Sequence, residues 1–252
     1  MGYAIFVIGP AGSGKTSLSH MLKEHYTAQK RGVVLVNLDP AQALTDLEFS
    51  FDIRDHIEIT EIMEAADFGP NGGLMAGLEA ISDNLDIMEL PEDDDTLLIF
   101  DCPGQIELYL HSDSISKIIT EVQKNHFPLI LYALDVMHLL DSSRFISAAI
   151  TATIAMSKFE VPHLNIFTKC DLVKKEELDE LLDELDLDTL CSSIPARCRN
   201  EKKFNHALTT IIKDEGLLGF IPLNYKEKES LDELAYHIDT SLQYFDSHMA
   251  DE

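Results

Sequence analysis

Residues 9–16 read Gly-Pro-Ala-Gly-Ser-Gly-Lys-Thr and fit G-x-x-x-x-G-K-[ST]. An apolar run over 3–8 precedes them and a helical pattern over 16–29 follows. That order is what the motif needs. Its glycines let consecutive backbone N–H groups turn inward onto phosphates. The helix that begins there adds the positive end of its dipole. Gly12, Ser13, Gly14, Lys15, Thr16 and Ser17 are therefore expected to hold a phosphate chain. Lys15 is placed to reach the β- and γ-phosphates, and the Thr16 hydroxyl to ligate Mg²⁺.

A chain that must present this loop must also fold as strand, turn and helix, and the remaining sequence keeps that alternation. Short, β-rich apolar runs occur at 3–8, 33–37, 96–101, 129–135, 163–168 and 220–223. They lack polar alternation, as strands covered on both faces do. Helical patterns lie between them, notably 16–29, 143–158 and 230–245. The expectation is α/β: a doubly wound, mainly parallel sheet of about six strands with helices on both faces. The whole of 1–252 reads as one nucleotide-binding domain. A long insertion, 41–95, is expected to hold extra helices, one starting near Gly73. Asp86, Glu89, Glu92, Asp93, Asp94 and Asp95 crowd 86–95, which reads as an exposed loop. Residues 176–188 read as one amphipathic acidic helix with Leu178, Leu181, Leu182 and Leu185 on its apolar stripe.

Charge narrows the partners. The chain carries 45 acidic and 19 basic side chains, a formal net charge of −26. Such a surface repels a phosphate backbone, so direct nucleic-acid binding is not expected. Docking to an anionic membrane is excluded by the same argument, and no apolar run reaches the ~18 residues of a membrane span. Four cysteines without C-x-x-C spacing, and no signal-like start, point to a reducing compartment, cytoplasmic or nuclear.

Three further segments complete a nucleotide site. Residues 97–107 form an apolar strand ending in Asp101-Cys102-Pro103-Gly104, followed by Gln105. Asp101 at a strand's carboxyl end is placed to hold the Mg²⁺ shell. Gly104, with no side chain, lets its N–H approach a γ-phosphate, and the Gln105 amide can orient an attacking water. Thr168-Lys169-Cys170-Asp171 follows the strand 163–168. There the Asp171 carboxylate can accept from guanine N1–H and N2–H₂, a donor pair that adenine lacks. The Lys169 stem would pack over the base. The strand at 220–223, with Pro222, is also expected to end near the base, with Cys191-Ser192-Ser193 as a competing loop. Asp39 ends the second strand, where it can bind Mg²⁺ through water or act as general base. Phe68-Gly69-Pro70-Asn71-Gly72-Gly73 alone is an ordinary Gly-rich turn before a helix.

Taken in order, residues 9–16, Asp39-Pro40, Gly69-Pro70-Asn71, the 101–107 run and 168–171 resemble the GPN-loop GTPases. The likeness runs from Tyr3 to about Phe245. Cys102, residues 52–55 and 242–244 make it most like the third paralogue group. The resemblance implies a GTP- and Mg²⁺-dependent GTPase working as a two-fold dimer, with a GPN-loop GTPase 1 paralogue or with itself. It implies that Gly69, Pro70 and Asn71 reach toward the partner's site, with Asn71 contacting the γ-phosphate or the released phosphate, and with Asp39 and Gln105 handling water. It further implies a role in assembly and nuclear import of RNA polymerase II, through polymerase subunits or assembly factors, with shuttling between cytoplasm and nucleus.

Only five arginines occur, at 31, 54, 144, 197 and 199, none within a nucleotide motif. Slow turnover that depends on dimer geometry is therefore expected. Two other readings stand beside this one. A phosphate-loop kinase would need an arginine-rich lid, for which Arg197 and Arg199 are the only close pair. A nucleotide-binding scaffold with little hydrolysis is compatible with the same motifs.

Overall fold

The computed structural model describes residues 1–42, 47–91, 93, 95–183, 185–195, 198–214 and 219–244. In chain order the elements are β1 (Gly2–Ile8), α1 (Lys15–Ala28), β2 (Gly32–Asn37), β3 (Phe51–Asp52), α2 (Ile59–Ala66), α3 (Pro70–Ser82), β4 (Thr96–Asp101), α4 (Ile106–Leu110), α5 (Ser114–Val122), β5 (His126–Asp135), α6 (Ser142–Phe159), β6 (His163–Thr168), α7 (Lys175–Asp183), α8 (Leu187–Ser193), α9 (Arg199–Asp214), β7 (Phe220–Pro222) and α10 (Lys228–Ser241).

The strands form one sheet in the order β3-β2-β4-β1-β5-β6-β7, and every pairing is parallel. This is the expected α/β architecture with seven strands where about six were expected. The extra one, β3, pairs only Val36↔Phe51 and Asn37↔Asp52, too short a run to leave a sequence pattern.

Alternate residues of each central strand feed two cores. Tyr3, Ile5 and Val7 of β1 pack with Leu18, Leu22 and Tyr26 of α1 and with Leu231, Leu234 and Ile238 of α10. Ala4, Phe6 and Ile8 pack on the other face with side chains of α3, α5 and α6. Both faces are covered, which explains the continuous apolar runs. From β1 the chain moves to β2 on one side, and from β4 it crosses β1 to reach β5 on the other. The carboxyl ends of β4, β1 and β5 thus frame a topological switch point, where open α/β sheets bind ligands.

Local signals explain where the elements depart from expectation. The acidic stretch 176–188 is two helices, α7 and α8. Asp186 restarts the chain by accepting from the Thr189 N–H at 2.9 Å, an N-cap. Helix α3 starts at Pro70 rather than near Gly73, because proline suits a first helical position. Within 86–95, Leu85–Met88 form a 3₁₀ turn that buries Met88, and Asp93 accepts from the Asp95 and Thr96 N–H groups at the start of β4. Glu92 and Asp94 lie outside the described residues, as do Arg197 and Phe245.

A buried arginine fastens the last helix. Arg31 pairs with Asp239 of α10 at 3.3 Å, with both side chains under a tenth exposed. Its guanidinium also lies 5.0 Å, 5.2 Å and 4.1 Å from the ring centres of Tyr3, Tyr26 and Tyr244. Aromatic faces thus replace water around most of this cation. Arg31→Ala leaves the Asp239 carboxylate buried without its cation, which costs about 3–5 kcal/mol. Chemical denaturation is expected to show a loss of that size; a loss below about 1 kcal/mol would mean that the clamp behaves like a surface pair.

Candidate functional site

At the switch point the turn after β1 opens a cleft of about 730 Å³, lined by Gly12, Gly14, Lys15, Thr16, Ser17, Asp39, Gln42, Gly104 and Gln105 among others. Gly9, Gly12 and Gly14 all have positive φ, which lets the loop wrap. Gly104 is needed for a different reason: a Cβ there would fall 2.7 Å from Ala11 Cα and 2.9 Å from Lys15 Nζ. The turn after β4 therefore lies directly on the phosphate loop.

Inside the cleft, the Thr16 hydroxyl donates to Asp101 Oδ2 at 2.6 Å. The Gln42 amide donates to both groups, at 2.9 Å to Thr16 and 3.0 Å to Asp101. Asp101 Oδ1 is buried and has no hydrogen-bond partner among the described residues. A buried carboxylate oxygen without a donor, beside a serine-type hydroxyl, suits a hard cation. Thr16 and Asp101 thus fit Mg²⁺. Burial pushes the Asp101 carboxyl up to about 6, against the pull of the Thr16 hydrogen bond and the Lys15 charge. Burial likewise lowers Lys15, whose ammonium donates to the Pro10 carbonyl at 3.1 Å, and raises Asp39.

The raised Asp101 value has a consequence for stability. A carboxyl whose native pKa exceeds its unfolded one is stabilising when protonated, and that contribution is lost as pH rises from about 4 through about 6. Asp101→Asn should therefore stabilise the nucleotide-free protein at neutral pH by on the order of 2 kcal/mol, while weakening magnesium-dependent nucleotide binding. Melting curves from pH 4 to 8 are expected to show the variant's advantage growing up to about pH 6 and then levelling; an advantage independent of pH would contradict this origin.

The side expected to take the base is built by β6 and β7. Asp171 lies in the 3₁₀ turn Cys170–Leu172 after β6, in a second cavity that it shares with Pro222, Asn224 and Lys226. Thr168 donates to the Ser13 carbonyl at 2.6 Å, and Lys169 to the Gly12 carbonyl at 2.6 Å and to Asp135 at 2.8 Å. These two residues tie the base strand to the phosphate loop. Of the competing base loops, the structure sets 222–226 beside Asp171. Cys191, Ser192 and Ser193 belong to α8, where Ser193 bonds Ser142 of α6.

Asn71 is the one predicted catalytic residue that does not line this cleft. With Gly69 and Pro70 it is exposed at the start of α3, next to exposed Phe68. Sequence reasoning also missed Gln42, Tyr225 and Lys226. Tyr225 bonds the Gly14 carbonyl at 3.2 Å, and Lys226 pairs with Asp171. None belongs to a spaced motif, so only the fold brings them in. Arg54 nears the cleft, donating to the Gln42 carbonyl at 3.2 Å, but its Nε and Nη2 hold the Asp52 carboxylate, Nε at 2.9 Å from Oδ1 and Nη2 at 2.5 Å from Oδ2.

A family model described as "conserved hypothetical ATP binding protein" matches residues 7–244. A protein named GPN-loop GTPase 3 from Dictyostelium discoideum is 36% identical over 246 residues, covering 94% of this chain and 86% of its own length. Another of that name from Yarrowia lipolytica is 39% identical over 251 residues, covering 96% and 93%. Among solved structures, a GTPase in apo form from Pyrococcus abyssi superposes with a TM-score of 0.72 at 23% identity, over 93% of this chain and 96% of that one; at that identity the likeness supports the fold. With its phosphate loop, its Asp101–Gly104 turn and its Thr168–Asp171 segment in place, the chain belongs to the GPN-loop GTPase family, in the group of its third paralogue.

Proposed function

We propose that this protein binds and slowly hydrolyses GTP with Mg²⁺, as a dimer that assists assembly and nuclear import of RNA polymerase II. The observation that carries the GTPase reading is the placement of Asp171 and the Thr16–Asp101 pair at opposite sides of one phosphate loop.

In this reading the backbone N–H groups of 12–17 and Lys15 hold the phosphates. Thr16 and Asp101 hold the metal, whose charge offsets that on the β- and γ-phosphate oxygens. Gln105 precedes the first turn of α4, its side chain makes no capping bond there, and it lines the cleft, where its amide can orient water. Burial makes Asp39 a stronger base than a solvated carboxylate, which suits it to take the water's proton. Gly104 seats the turn close enough to sense the terminal phosphate.

The exposed Gly69-Pro70-Asn71 turn supports a role across a dimer interface, with a GPN-loop GTPase 1 paralogue or a second copy. The polymerase role rests on family resemblance. The acidic surface, −26 in net charge, suits protein contacts rather than DNA or RNA. Phosphate release measured against protein concentration, with mass determination, tests the dimer. Specific activity should rise with dimer fraction and fall at least tenfold in Asn71→Ala; equal activity in a dilute monomer would overturn it. Adding a first-paralogue partner distinguishes hetero- from homodimer.

A further inference from the structure

The base-reading carboxylate is already engaged. Lys226 Nζ lies 3.0 Å from Asp171 Oδ2; the Asp171 side chain is 13% exposed and the Lys226 side chain 74%. The ammonium therefore reaches in from solvent to a carboxylate that the fold has mostly buried. The cavity around them holds about 520 Å³, and Asp179, Glu227, Glu229 and Glu233 line it too, against Lys175 as the other cation. An ionised Asp171 in that acidic wall gains from a counter-ion. The segment carrying Lys226 is not loose. Tyr225 bonds the Gly14 carbonyl, and the Lys226 N–H bonds Asn224 Oδ1 at 2.9 Å. The lysine is thus held at the mouth of the site while its long stem stays free to swing.

We propose that Lys226 is a specificity-determining residue of the base site: its ammonium occupies Asp171 until a base edge with N–H donors displaces it. The inference rests on Asp171 reading the base, as proposed above. A base that pairs with Asp171 must first break the ion pair, so Lys226 weakens its binding. A base without that donor edge leaves the ion pair intact and is unaffected.

Fluorescence titrations of GDP, IDP and ADP against wild type, K226M, K226R and D171N test this. K226M should bind GDP and IDP about two- to fivefold more tightly, with ADP unchanged, and K226R should behave as wild type. An exposed ammonium is screened, so the K226M-to-wild-type ratio should shrink toward one at about 0.5 M salt. A general structural effect of Lys226 would move all three nucleotides together and without that salt dependence. If wild type prefers GDP to ADP but K226M binds GDP no more tightly, the Lys226 role is overturned alone. If wild type shows no preference and D171N changes nothing, the base-reading role falls and this inference with it.

Discussion

Asp171→Asn is expected to lower GTP affinity by about 100-fold and to create affinity for XTP. The side chain sits at the end of β6, mostly buried, where an acceptor pair can meet guanine N1–H and N2–H₂. Asparagine replaces one acceptor with an NH₂ donor, which then faces the guanine amino group. Xanthine carries a carbonyl there and restores the match. The affinity change should therefore be a swap of preference, read by competition among GTP, XTP and ATP. The β6–phosphate-loop ties run through Thr168 and Lys169, so the variant should keep its fold. Equal loss for all three nucleotides would show that Asp171 supports the loop rather than reading the base.

Lys15→Ala should be as severe and different in kind. It removes the buried cation placed to reach the phosphates, and charge-assisted bonds of that sort are worth roughly 1.5–3 kcal/mol each. GTP and ATP affinity should both fall about 100- to 1,000-fold, and hydrolysis should vanish. A second signature comes from the carboxylates. Lys15 pulls the pKa of both Asp101 and Asp39 down against their burial. Without it both rise further, while the cost of burying the ammonium is removed, so the nucleotide-free variant's stability relative to wild type should be lower at pH 8 than at pH 5, by melting. Retained nucleotide affinity, or a stability loss equal at both pH values, would contradict the placement of Lys15 between these acids.

How far these roles could be read in advance depended on how each residue is specified. Strands β4 and β6 have the boundaries expected from their apolar runs, because both faces are buried and each position needs an apolar residue. The phosphate loop and the Asp101–Gly104 turn were legible because their chemistry demands glycines and charges at fixed spacing. β3 was not, since two residues carry no periodicity and its pairing comes from the sheet edge. The break between α7 and α8 depends on one cap, Asp186, inside a run where every acid looks alike. Gln42 and Lys226 were hidden for another reason. Each acts on a partner far along the chain, at 59 residues for Gln42 and Asp101, and such pairs exist only once the sheet brings its strand ends together. The same holds for Arg31, a charge in the sequence and a tyrosine-lined clamp in the fold.

The central claim is that one phosphate loop joins a guanine-reading carboxylate to a hydrolytic centre. Phosphate release by the purified protein with Mg²⁺, from an equal mixture of GTP and ATP labelled separately at the γ-position, tests it most directly. The account predicts slow release from GTP with at least a hundredfold preference over ATP. Release from ATP at a similar or greater rate, in keeping with the wording of the matched family model, would contradict it.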